Sequence, residues 1–236
     1  MNEKVINRIE KLFVHAESAE SIGSQAEAEA FAAKARALMV EHKLEIADLD
    51  LSGEAKSASE PESFYVEATE WGDRKKRRAI SWRRNLAWKL SPAYFCKVLG
   101  CSGRTNSLYI IGAEEDKNAF LRGFQTLLKV AEDLADAAYD EHKSMWGSDR
   151  TWKISWYDGF VAGVDERVQR ELREEKQNLD EHALVVVKDQ MTKVEGAVKK
   201  FHPRTVSSKQ SRSRHHSDAY AAGRRAGRQK HNNRLK

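Results

Sequence analysis

Five consecutive cations, Arg74, Lys75, Lys76, Arg77 and Arg78, stand just ahead of Trp82, Arg83, Arg84 and Trp88. A second basic stretch closes the chain. Between Phe201 and Lys236 there are ten Lys/Arg, among them Arg204, Lys209, Arg212, Arg214, Arg224, Arg225 and Arg228, against a single acid, Asp218. The chain as a whole carries only +5, so the first 200 residues are net acidic and the positive charge is concentrated at one end. Clustered cations displace counterions from a phosphate backbone or meet an acidic protein surface. Cations beside tryptophans add a second chemistry, in which bases stack on indole faces while phosphates are held alongside. The plainer reading makes Trp82 and Trp88 core residues and the cations a solvated helix start.

Within Ser207–His216, arginines alternate with hydroxyls that suit phosphate contacts, without the aromatic interleaving that base stacking needs. The plainer reading is a solvated linker. Two cysteines, Cys96 and Cys101, could complete a tetrahedral zinc shell with His142, His182, His215 or His216. There is no second cysteine pair, and these histidines lack ligand spacing, so the sequence predicts neither a metal nor another cofactor. Glu114, Glu115 and Asp116, and then Asp133, Asp136 and Asp140, read as the solvated face of a helix. No phosphate-binding Walker loop, dinucleotide glycine fingerprint, metalloprotease helix motif or nucleophile elbow is present. These absences weigh against an enzyme and name no catalytic residue.

The elements that must carry these residues follow from periodicity. Val5, Ile6, Ile9, Leu12, Phe13 and Ala16 predict a helix over 3–17. Ser24 and Glu27 have capping-box spacing ahead of an Ala-rich helix over 25–42, giving a helical hairpin over residues 1–50. Residues 51–62 read as a linker. The span 63–200 reads as an α+β domain. It has strand-like segments at 64–66, 94–99 and 107–111, and helices over 79–90, 114–142, 150–177 and 188–200. Whether Ala183–Val187 is strand or the start of a buried helix is open from periodicity alone. Residues 201–236 form the basic end. Inside it Ala219, Ala222, Gly223, Ala226 and Gly227 fall on one helical stripe, and Gly159 and Gly163, four apart, offer it a flat docking surface. The rival is a tail that orders only on nucleic acid. The fold class expected is α+β, a helical hairpin followed by long helices around a small antiparallel sheet. No apolar run reaches the ~20 residues of a membrane span. The start of the chain lacks the plan of a signal peptide, so a soluble, cytoplasmic protein is expected.

Three stretches together resemble a known family. Ile9–Ser18 with Glu27–Met39 and His42–Leu44 resembles the domain of unknown function DUF2786, common in bacterial, plasmid and phage proteins. Ser81–Ala87, Phe95-Cys96, Ile110–Gly112, Ala183–Asp189 and Ala219–Gly227 look like the domain that usually follows it. The resemblance implies a phage or mobile-element setting and no catalytic residue. The reading that results is a nucleic-acid-associated accessory protein gripping phosphates through its basic segments. The alternatives are a module that binds a host or phage protein, with the Ala-rich hairpin as its surface, and a metal-dependent enzyme built on Cys96, Cys101 and histidines.

Overall fold

A computed structural model describes residues 59–67, 81–101, 107–149, 151–205 and 216–229, and within the first fifty positions 8, 11, 12, 15, 30, 31, 34, 35, 37–41, 43 and 44. Its sheet has three strands: β1 (Glu62–Val66), β2 (Lys97–Gly100) and β3 (Leu108–Gly112). The order is β1-β3-β2 and every pairing is antiparallel, with Tyr65 opposite Tyr109 and Leu99 opposite the other side of Tyr109. Side chains alternate across a strand, so the sheet has two chemically distinct faces. Val66, Val98, Leu108 and Ile110 face the main core and are almost fully buried. Ser63, Tyr65, Leu99, Tyr109 and Ile111 face the other way.

Helix α1 (Ser81–Leu90) runs into a 3-10 turn, Ser91–Tyr94, with Pro92 in its first positions. Phe95 closes the turn at φ 53°, and the Cys96 amide donates to the Ser91 carbonyl at 3.1 Å. The expected strand over 94–99 is therefore shortened. Tyr94 belongs to the turn and the buried Phe95 makes its left-handed exit, so pairing begins only at Lys97. At the other end of the expected linker, Glu62 already pairs with Gly112 as the first residue of β1.

Helix α2 (Glu114–Trp146) lays Phe120, Phe124, Leu127, Leu128 and Ala131 on the core, and three acids occupy its first turn, where they meet the helix dipole. Gly147 at φ 83° ends it. The Asp149 carboxylate then accepts from the Thr151 amide at 2.7 Å, setting up α3 (Trp152–Asn178). Asp180 caps α4 (Glu181–Phe201), accepting from the Ala183 amide at 2.8 Å. The apolar run Ala183–Val187 is thus a helix start; its cap decides what its periodicity left open. Helix α5 (Ser217–Arg228) completes the chain's described structure.

The α3–α5 contact is the tightest in the fold. A Cβ placed on Gly159 would stand 2.9 Å from the Tyr220 carbonyl carbon, and one on Gly163 would stand 2.9 Å from the Arg228 amide nitrogen. From the opposite helix, one on Gly223 would stand 2.8 Å from the Trp156 carbonyl carbon, and one on Gly227 2.8 Å from the Val164 amide nitrogen. Backbone meets backbone, as the stripe of small residues requires. Ala219 joins the same core as Trp156, Phe160 and Val164.

The described residues of the N-terminal segment are all helical, the last of them Leu44. Leu12, Ala35 and Met39 join the main core, and Lys43 pairs with Asp116 at 2.8 Å. Asp116 is only 3% exposed, whereas the sequence placed it on a solvated face. The hairpin's docking covers it. Among the described residues no helix is long and apolar enough to cross a membrane.

Candidate nucleic-acid interface

Helix α4 covers the second face of the sheet incompletely. Val194, Ala197 and Val198 pack on Ile111, Leu99 and Tyr109, and the helix then ends at Phe201. Beyond that end the sheet face opens into a cleft of about 680 Å³ lined by Tyr65, Leu99, Tyr109, Phe201, His202 and Arg204, with Cys101 at its edge. The Tyr109 ring lies 5.5 Å from Tyr65 and 4.4 Å from His202. The polar tips of these side chains are tied back. The Tyr65 hydroxyl donates to Ser107 Oγ at 2.8 Å, and His202 Nε2 lies 2.7 Å from Ser63 Oγ. Among the described residues no carboxylate lines the cleft.

Two cations stand beside it, at the end of α4 and just beyond. Arg204 is exposed and forms part of the wall. Lys200 sits over the Phe201 ring at 5.2 Å from its centroid. Arg84, on α1, lies across the sheet from the cleft: its guanidinium is 4.0 Å from where a Cβ on Gly100 would stand, and Gly100, opposite Leu108, would project that Cβ toward the main-core face. In sequence, the segments that leave this end of the sheet after Val66 and after Thr205 are the two that carry Arg74–Arg78 and Lys209, Arg212 and Arg214. Those eight cations themselves lie outside the described residues.

The remaining candidates go elsewhere. Arg83 pairs with Glu132 on α2. Arg224 and Arg228 both pair with Glu166 on α3, Arg224 Nε donating at 2.8 Å. The hydrogen bond from Arg228, with that from Arg224, holds the Glu166 carboxyl below the usual carboxylate range. Arg225 is exposed on the outer side of α5. Trp82 is buried and stacked on Tyr157, with centroids 4.1 Å apart and planes 2° apart, so its face is occupied. Trp88 is 53% exposed, with Lys89 over its ring.

Cys96 is fully buried against Gly112, and burial, reinforced by the neighbouring Asp116, pushes its thiol well above the usual range. Cys101 is half-buried at the cleft edge. Among the described residues no three His, Cys, Asp or Glu side chains are placed to hold a metal together.

The four cleft rings are absent from the set of residues that charge patterning singles out. The one local signal for Tyr65 and Tyr109 is parity, since each sits one residue from the core-facing positions of a short strand. That they stand opposite one another depends on a pairing between segments 44 residues apart, which no local pattern encodes.

No curated protein and no solved structure matches the chain. Residues 4–45, which include Lys43, match the family described as "Protein of unknown function (DUF2786)".

Proposed function

We propose that this protein is a nucleic-acid-associated accessory protein of a phage or mobile element, holding the phosphate backbone with its basic segments. The observation that carries the reading is the cleft: an aromatic surface without a carboxylate among the described residues, with Arg204 and Lys200 beside it, near which two strongly basic segments leave the described fold in sequence. Backbone cations give affinity without sequence preference, and the binding is governed by counterion release. Arg224 and Arg228, engaged with Glu166, contribute less than Arg84, Arg204 and Arg225.

The test is equilibrium binding of the full chain to labelled DNA and RNA at two salt concentrations. With several phosphates engaged, affinity falls by about a thousandfold between roughly 50 and 200 mM salt. Reversing Arg204, Lys209, Arg212 and Arg214 to Glu together lowers both affinity and salt slope. Binding that ignores salt sinks the reading. Charge reversal is the right perturbation, because a chain cut at Lys200 would lose α5 from the core as well as its cations.

A protein-binding role rests on a different feature. Met145 and Trp146, at the end of α2, are 62% and 78% exposed. Exposed large apolar side chains in a neighbouring pair mark contact surfaces. Capture of a host or phage protein that survives nuclease treatment and is lost in Trp146→Ser would favour it.

A further inference from the structure

We infer that the cleft at the end of α4 takes an unpaired base of a single-stranded nucleic acid, stacked against the Phe201–Tyr109 wall, with the flanking phosphates on Arg204 and Lys200. This rests on the nucleic-acid reading above and adds to it the strandedness of the ligand and the place where a base sits.

Three observations combine. The first is the supply of ring surface. Phe201 is 41% exposed, and Tyr65, Tyr109 and His202 are half-buried around the same opening. Because the Tyr65 hydroxyl and His202 Nε2 are already paired with Ser107 and Ser63, the wall is fixed in place and has few free polar groups with which to read a base edge. A wall of fixed rings binds by stacking, which every base can satisfy.

The second observation is charge. A cleft with no carboxylate among its described residues, a lysine over one ring and an arginine in its wall favours an anionic ligand with a flat apolar part. An aromatic side chain of a partner protein would fit the rings but would leave Lys200 and Arg204 without a counter-charge. A nucleotide satisfies both.

The third is shape. The opening is about 680 Å³, within the roughly 300–1,000 Å³ of clefts that take small ligands. In a duplex the base faces are covered by their neighbours in the stack. Only an unpaired or flipped base can present a face to a protein ring.

The experiment uses the full-length chain and one oligonucleotide sequence carrying a single 2-aminopurine, offered single-stranded and as a duplex. The single strand binds more tightly than the duplex, and its 2-aminopurine emission is quenched on binding. Phe201→Ala weakens single-strand binding by about tenfold, in line with the loss of one base–aromatic stack, and reduces the quench. The salt slope stays unchanged because no charge is removed. Tyr109→Leu does the same, and its thermal midpoint is measured alongside. Phe201 is exposed at a helix end, so its variant keeps the test valid should Tyr109→Leu fail to fold. Equal affinity for single strand and duplex, with Phe201→Ala binding as wild type and salt dependence intact, overturns the base site and leaves backbone binding standing. Absence of binding to either form at low salt overturns both.

Discussion

Gly223 faces the Trp156 carbonyl so closely that its hydrogen atoms occupy the only space a Cβ could take. The relationship is reciprocal along the two helices, because Gly159 meets Tyr220 in the same way one turn further on. Helices usually pack 8–10 Å apart, held off by their side chains. Here the small residues remove that spacer, and the last helix of the chain becomes part of the core.

Gly223→Ala is therefore strongly destabilising, although alanine is the better helix former. A Cβ has to push the Trp156 backbone away, and backbone cannot swing aside like the tip of a side chain. Overpacking of this kind costs about 1–3 kcal/mol and sometimes more. Urea unfolding should show a clear drop in midpoint for Gly223→Ala, and a similar one for Gly163→Ala. A midpoint at or above wild type would mean that α5 does not sit on α3.

Gly196 provides the opposite case. It lies inside α4, and a Cβ there would meet nothing within 4 Å. Gly196→Ala gains helix propensity and restricts the unfolded chain, and so stabilises by roughly 0.5–1 kcal/mol. The same urea titration checks it. The two alanine substitutions should move the midpoint in opposite directions.

Asp116 sets a pH dependence. Burial pushes its carboxyl up to about 6, against the opposing pull of Lys43. In the unfolded chain it titrates near 3.8. Between these values the native state keeps a proton that the unfolded chain has lost. Its contribution to stability is complete below about pH 3.8 and is lost as pH rises through about 6, a change on the order of 3 kcal/mol. In Asp116→Asn this component disappears from the stability profile between pH 4 and 7. Lys43→Met, which removes the cation holding the carboxyl down, shifts the window to higher pH. A wild-type profile that coincides with Asp116→Asn across this range would contradict the assignment.

The two cysteines differ in reactivity. Cys96 is fully buried with a thiol raised by that burial, whereas Cys101 borders the open cleft. The thiolate is the reactive form, so alkylation of the native protein, followed by mass spectrometry, labels Cys101 well before Cys96. Cys96 reacts only when the protein is unfolded in denaturant. Equal native rates would contradict the burial of Cys96.

Much of this architecture is legible in the sequence, and the parts that are not share a cause. The helices over 114–146 and 152–178 declare themselves through apolar periodicity, and the glycine pairs at 159/163 and 223/227 declare their partnership through matching spacing. Local patterns fail where a neighbour distant in sequence decides. Val185–Val187 is helical because Asp180 caps it, although its composition suits a strand equally well. Asp116 has the neighbours of a surface acid, yet it is buried and paired with Lys43, 73 positions away. The cleft rings converge through strand pairing and a helix end. Charge patterning, which does read locally, finds Arg204 but not the rings beside it.

The docking of α5 changes what the basic stretch before it is. Thr205 stands at the cleft, and the fold resumes at His216, whose amide donates to Ser155 Oγ at 2.8 Å. Both ends of the basic stretch are thereby tied to the folded body, one at the cleft and the other at α3, so a charge reversal within it can be compared with wild type without removing α5 from the core.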